Sequence, residues 1–367
     1  MKFSIKRESL ITILGEFSNI LRETPVKPIV AGVQIKAEKN TITFIGTNLE
    51  VDLIRKAPGF VEQEGSIVIK PAMLLEYVKL LEEEDVEFAL SDSNLHVQNA
   101  VFSTLYDENF PIISEPKGNI AFRIKGRDLA RYFEKTKFAA SQSTENPAIN
   151  CLRLVLRADE LNLVSTDSYR LLYLRAPVSS VLEKEISIPM DSVNILCKML
   201  KDSDEEVEFG FLGELLLVLW QDACFISRTI AMPFPDYKFI LENAQHDKKM
   251  EFNRDELKSA LRRVITIART SIDAKFGAVF DFRGKMAMIN AFSGRARINQ
   301  KVNMMKTGED FKASLNCKFF SEYLDNITDN PIVNGKNQSS MFEISENGSQ
   351  DYRYILMPLQ MPRGKED

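Results

Sequence analysis

Two histidines, four cysteines and several acidic clusters are the residues of this 367-residue chain most able to do chemistry. His96 lies in Leu95-His96-Val97, whose alternation points it outward from a strand, and His246 lies in a polar connector. Neither has a Cys, Asp or Glu at ligand or triad spacing, so exposed surface is expected for both. Cys151, Cys197, Cys224 and Cys317 are far apart and form no CxxC pair. They read as small buried residues of a reducing cytosol, not as a disulfide framework or zinc site. No GxxxxGK[ST] loop and no GxGxxG is present, and Gly210-Phe211-Leu212-Gly213 reads as a hairpin turn. The acidic runs Glu82-Glu83-Glu84-Asp85 and Asp202-Ser203-Asp204-Glu205-Glu206 read as solvated turns, poor places for general acid-base work. The reading is a non-enzyme, with no metal and no cofactor.

The elements that could carry a binding function are the helices. Net charge is −5, which argues against gripping a polyanion by bulk charge. Yet Arg127, Arg131 and Lys135 recur at i+4 on one face of a helix, with Leu129 and Phe133 on another. Lys258, Arg262 and Arg269 similarly lie opposite the apolar stripe Leu257, Leu261, Val264 and Ala268. Either face alone is most simply a solvated surface. Their recurrence in equivalent helices points to a shared polyanion-facing side.

That equivalence comes from an internal repeat. A short alternating strand precedes an amphipathic helix at Phe3–Leu21, Phe122–Ala139 and Met250–Ala268. About halfway along each third a second strand leads into a helix: Ser66–Leu81, Glu185–Leu200 and Asp310–Ile327. Pro71 and Pro189 fit the first turn of their helices, where a missing N–H costs nothing. Alternating strands fill the remainder. The expected fold is α+β, three repeated domains, each of two β-α-β-β-β halves, at 1–117, 118–246 and 247–367. Apolar residues make up 44% of the chain, but the longest apolar stretch, around Leu215–Trp220, is too short to span a bilayer. The opening Met1–Arg7 alternates like a strand and lacks a signal core. No membrane association is expected.

Several motifs on this repeat resemble the bacterial DNA polymerase III beta subunits, the sliding clamps. They are Ser165-Thr166-Asp167-Ser168-Tyr169-Arg170-Leu171, Phe234-Pro235-Asp236-Tyr237 and Leu356-Met357-Pro358-Leu359-Gln360-Met361, with Met1-Lys2-Phe3 and Thr47-Asn48-Leu49-Glu50 in support. The resemblance covers essentially the whole chain. It implies a cytoplasmic, nucleoid-associated processivity factor: a head-to-tail homodimeric ring around duplex DNA, without sequence preference, placed by an ATP-driven loader. It also implies a pocket that holds the replicative polymerase subunit and other proteins carrying a clamp-binding motif. Carried over by motif, that pocket is Ile149, Thr166, Ser168, Tyr169, Arg170, Leu171, Pro235, Phe239, Ile240, Met357, Pro358, Leu359 and Met361. The DNA-facing set is Arg22, Lys27, Arg127, Arg131, Lys135, Lys198, Lys258, Arg262 and Arg269. Ser168 stands at the usual glycine of the turn, a serine that argues against positive φ there. Thr24, Ser143 and Asn146 replace more basic or aromatic positions, and Pro362–Asp367 runs past the usual end.

Overall fold

The computed structural model describes residues 1–21, 27–91, 94–105, 109–271 and 274–362. Arg22, Thr24 and residues 363–367 of the terminal segment lie outside them. Among the described residues the order β-α-β-β-β recurs six times. The first unit is β1 (Lys2–Lys6), α1 (Arg7–Phe17), β2 (Val33–Glu38), β3 (Thr41–Thr47) and β4 (Val51–Gln63). The second is β5 (Gly65–Ile69), α2 (Pro71–Lys79), β6 (Asp85–Ser91), β7 (Asn94–Val97) and β8 (Ala100–Ser103). The third is β9 (Asn119–Lys125), α3 (Gly126–Lys137), β10 (Cys151–Leu156), β11 (Glu160–Thr166) and β12 (Arg170–Pro177). The fourth is β13 (Lys184–Pro189), α4 (Met190–Leu200), β14 (Glu206–Leu212), β15 (Leu215–Trp220) and β16 (Ala223–Arg228). A short helix, α5 (Tyr237–Glu242), precedes the fifth: β17 (Lys248–Phe252), α6 (Arg254–Ala268), β18 (Gly277–Arg283), β19 (Met286–Phe292) and β20 (Arg297–Thr307). The sixth is β21 (Phe311–Asn316), α7 (Cys317–Asp325), β22 (Pro331–Gly335), β23 (Phe342–Glu346) and β24 (Tyr352–Leu356).

Side-chain periodicity sets these elements. Leu10, Ile13, Leu14 and Phe17 form one buried stripe on α1, and Leu257, Ala260, Leu261, Val264 and Ala268 form the one on α6. On β1 the alternation buries Phe3 and Ile5 and exposes Lys2 and Lys6. Pro71 opens α2 as expected. Asn253 and Asn316 cap α6 and α7 through their side-chain oxygens, satisfying amides that have no helical partner.

The chain divides into two compact units that do not follow its thirds. One comprises 1–131, 157–159 and 178–230, the other 132–156, 160–177 and 231–367. The sheet of the first runs β8-β7-β6-β1-β4-β16-β15-β14-β9. The strands that belong to the second are ordered β10-β11-β12-β24-β23-β22-β17-β20-β19-β18-β21. The central third is shared out because both its edges find partners. In the first unit β16 pairs antiparallel with β4, from Ala223↔Arg55 to Ser227↔Val51. In the second β12 pairs antiparallel with β24, from Arg170↔Leu356 to Leu174↔Tyr352.

The first unit's core includes Ile45, Ile54, Val68, Phe110, Leu217 and Cys224. In the second a phenylalanine ladder runs through Phe320, Phe280, Phe282, Phe311 and Phe342, with ring centroids 4.9–6.2 Å apart. All four cysteines are free and buried, and burial pushes the Cys224 thiol up to about 12. No helix of the described residues is long and apolar enough to cross a membrane.

Two local expectations need correction. Gly210 lies within β14, not in a turn; a Cβ there would come 2.4 Å from the Asn119 carbonyl oxygen across a register shift. Gly213, at φ +58°, makes the turn. His246 is half-buried, its Nε2 3.3 Å from Glu343 Oε2, while His96 is exposed on β7 as expected.

Candidate functional site

The turn between β11 and β12 is built by its own side chains. Thr166 Oγ1 donates to the Arg170 carbonyl at 2.6 Å and accepts from the Ser168 amide at 3.1 Å. Asp167 Oδ1 accepts from the amides of Tyr169 and Arg170 at 3.0 and 3.1 Å. Ser168 sits at φ +76°, so the left-handed geometry is present without a glycine. These bonds leave Leu171 aimed inward and Tyr169 outward at 64% exposure.

Arg170 locks this turn to its surroundings. Its Nε donates to Asp167 at 2.9 Å, one terminal nitrogen pairs with Glu322 of α7, and the other donates to the Phe138 carbonyl at 2.8 Å. The guanidinium lies 4.0 Å from the Phe319 ring centroid and 5.7 Å from that of Phe138. Burial opposes its charge, but Tyr354, Glu322 and Asp167 together hold it above the ordinary arginine range. All three of its nitrogens are therefore engaged, using three of five donors, and Arg170 supports the turn instead of reaching for a ligand.

Beside the turn lies a cavity of about 340 Å³ lined by Thr166, Ser168, Arg170, Leu171, Pro235, Ile240, Met341, Ile355 and Met357. Ile240 arrives on α5 and Pro235 just before it; between them Asp236 caps the helix by accepting from the Phe239 amide at 3.1 Å. Below it Val155, Val164, Leu171, Tyr237 and Ile355 form one cluster. The Met357 amide donates to the Tyr169 carbonyl at 2.9 Å, which fixes the chain's exit from β24 along the rim. A mainly apolar hollow of this size, with a few polar atoms at its mouth, suits apolar side chains of a ligand.

Seven of the residues singled out from the sequence line the cavity. Ile149, Tyr169, Phe239, Pro358, Leu359 and Met361 do not. Leu359 is drawn elsewhere: its amide donates to the Ser314 carbonyl at 2.7 Å, next to Gly277. Met341 and Ile355 were missed. Ile355 is directly opposite Leu171 across β12 and β24, so both point to the same face. Only that pairing reveals it, and Met341, just before β23, carries no signal in its own neighbourhood. Leu356, which follows Ile355, is fully buried in β24, so the apolar end of the chain is anchored in the core up to that residue.

The basic helix faces differ in how free their charges are. Arg127 pairs with Asp204, and Arg131 with Asp128 at 3.0 Å, on the exposed side of α3, while Leu129 and Phe133 are fully buried. Lys135 lies 5.2 Å over the Tyr352 ring. On α6, Lys258 is tied to Asp325 of α7 at 2.6 Å with Arg262 4.0 Å away from the same carboxylate. Arg269, Lys198 and Lys27 are exposed.

A repeat of β-α-β-β-β units with an apolar peptide-sized hollow and engaged polar groups is a binding protein in architecture. Residues 1–114 match the family profile "DNA polymerase III beta subunit, N-terminal domain", and residues 123–236 match "DNA polymerase III beta subunit, central domain". The chain is 22% identical to the beta sliding clamp of Pseudomonas putida over 98% of its own length and 100% of that protein's. It is 24% identical to that of Staphylococcus aureus over 73% of its length and 75% of the relative's. The Thermotoga maritima DNA polymerase III beta subunit superposes with a TM-score of 0.91 at 23% identity, covering 98% and 99% of the two chains. A Pseudomonas aeruginosa sliding clamp bound to griselimycin superposes at 0.89, with 22% identity and 98% and 100% coverage. The two matched profiles span well over half of the sequence, and the chain belongs to the DNA polymerase III beta subunit family. It is a non-catalytic processivity factor of DNA replication.

Proposed function

We propose that two copies of this chain close head to tail into a ring around duplex DNA, placed there by an ATP-driven loader, and that the cavity beside Leu171 holds short apolar peptide motifs of the replicative polymerase and other clients. The three sequence thirds are then the repeating domains of the ring, working in the cytoplasm on replicating DNA. The observation that carries the ring is a pair of open edges. Strand β8 pairs only with β7 among the described strands, and Val101 on it is 59% exposed. Residues 297–303 of β20 pair with β19, whereas β17 takes only Met304–Thr307. Each is half of an antiparallel pair, and joining unlike edges closes a ring when the rotation fits.

A ring holds DNA by topology. Exposed cations such as Arg131, Arg262 and Arg269 then centre the duplex through loose contacts with phosphates, without reading bases. Net acidity limits adhesion, so the ring slides. The test is retention after loading on nicked circular duplex and on the same DNA linearised. Retention on the circle and release from the linear form are expected. Sedimentation showing monomer alone at micromolar concentration, or equal loss from both DNAs, overturns the ring.

A further inference from the structure

We propose that the apolar cavity continues into a second subsite that takes a carboxylate, so that a client peptide is read at an acidic side chain flanking its apolar anchors. This rests on the peptide-pocket reading above and adds a specificity determinant to it. A neighbouring cavity of about 230 Å³ is lined by Asn243, Gln245, Lys336, Ser339, Ser340 and Met341. Met341 lines both cavities, so they adjoin at one unbranched, adaptable thioether side chain.

The chemistry changes across that side chain. The first cavity is mainly apolar; the second is lined by one ammonium, two amides and two hydroxyls, with no carboxylate, although Ser340 Oγ already donates to Asn337 Oδ1 at 2.9 Å and Asn243 Nδ2 spends one donor on the Phe239 carbonyl at 2.8 Å. Lys336 Nζ donates to Gln245 Oε1 at 3.1 Å, which uses one of its three donors. Of the carboxylates near in sequence, Glu242 beside Asn243 is exposed and does not line the cavity, while Asp247 and Glu343 are already paired. Asp247 pairs with Lys248 at 2.8 Å, and Glu343 is held by Arg353 at 2.9 Å. Such a lining is complementary to an anion that can also accept from amide and hydroxyl groups. An extended peptide advances about 3.3 Å per residue, so an acidic residue one to three positions from an anchor spans the crossing of Met341.

The experiment uses the full chain and synthetic peptides about eight residues long. A parent carries two large apolar side chains, and variants carry one Glu moved through the flanking positions on either side. Affinities are read by fluorescence anisotropy at low and high salt. One Glu position is expected to bind about threefold tighter than the parent at low salt, with the ratio shrinking as salt rises. That ratio should fall to about one in Lys336→Gln and below one in Lys336→Glu. No favoured position, or a gain that survives Lys336→Glu, overturns the subsite. A parent peptide whose affinity ignores Ile240→Ala instead marks failure of the pocket reading, and the subsite falls with it.

Discussion

Leu49 and Ser168, 119 residues apart, hold the same left-handed backbone, φ +76° at each. Around each a threonine hydroxyl accepts the amide two residues on: Thr47 from Leu49 at 2.9 Å, Thr166 from Ser168 at 3.1 Å. Asn48 and Asp167 each accept from the next two amides. The turn is one device used twice, and its side-chain bonds hold a conformation that costs a non-glycine residue about 1–2 kcal/mol. Leu49→Gly should therefore raise stability by about 0.5 kcal/mol, the strain relieved less glycine's extra chain entropy. Ser168→Val should lower it by about 1–2 kcal/mol. Urea midpoints at unchanged slope would check the order, and a destabilised Leu49→Gly would refute the strain.

Arg170 carries a heavier load. Arg170→Met strands the Asp167 and Glu322 carboxylates and the Phe138 carbonyl, with an expected loss of about 3–5 kcal/mol. Glu322→Gln keeps a hydrogen-bonding oxygen for the guanidinium and should cost about 1 kcal/mol. Equal losses in chemical denaturation would show that the Glu322 charge, not the guanidinium, holds the turn.

Glu343 makes stability depend on pH in the acid range. Burial raises its carboxyl, but His246 and Arg353 outweigh that and bring it from 4.5 down to about 2. A folded-state value below the unfolded one adds stability that is present above pH 4.5 and is lost as pH falls through about 2. Glu343→Gln should be less stable than the parent at pH 7, and the gap should close between pH 4.5 and 2. Urea midpoints across that window measure it; a constant gap would mean that the carboxyl charge is not what Arg353 requires.

The cations on the helix faces should not contribute equally to DNA contact. Lys258 is committed to Asp325, while Arg269 is exposed. Arg269→Gln should reduce the salt slope of loading by up to about 0.9, the value for one phosphate contact, and Lys258→Gln should barely change it. Loading assays over a salt series distinguish the two. A larger effect from Lys258 would place α6 differently toward DNA.

The repeat was legible because its information is local. Apolar stripes at helical spacing and alternation on strands survive in any context, and a strand followed by a helix is found in each of the six ranges expected to hold one. The turn at Thr166–Arg170 was legible for the same reason. What escaped needs partners from afar. His246 meets Glu343 across 97 residues, and Ile355 joins the cavity through its pairing with Leu171. Helix α5 is six residues long, too short for a periodic signal, although Asp236 after Pro235 is the cap that could have announced it.

The sharing of the central third between two sheets constrains how the polypeptide can be cut and how it is made. A fragment of residues 118–246 would carry two raw margins, β16 without β4 and β12 without β24, and should clump instead of folding. During synthesis the β16 edge of β4 waits for residues 223–227 to emerge, and β12, complete at Pro177, waits for β24, which starts at Tyr352. The nascent protein therefore stays open-edged until Leu356 has emerged, which makes the ribosome-bound stage its most vulnerable to misassembly.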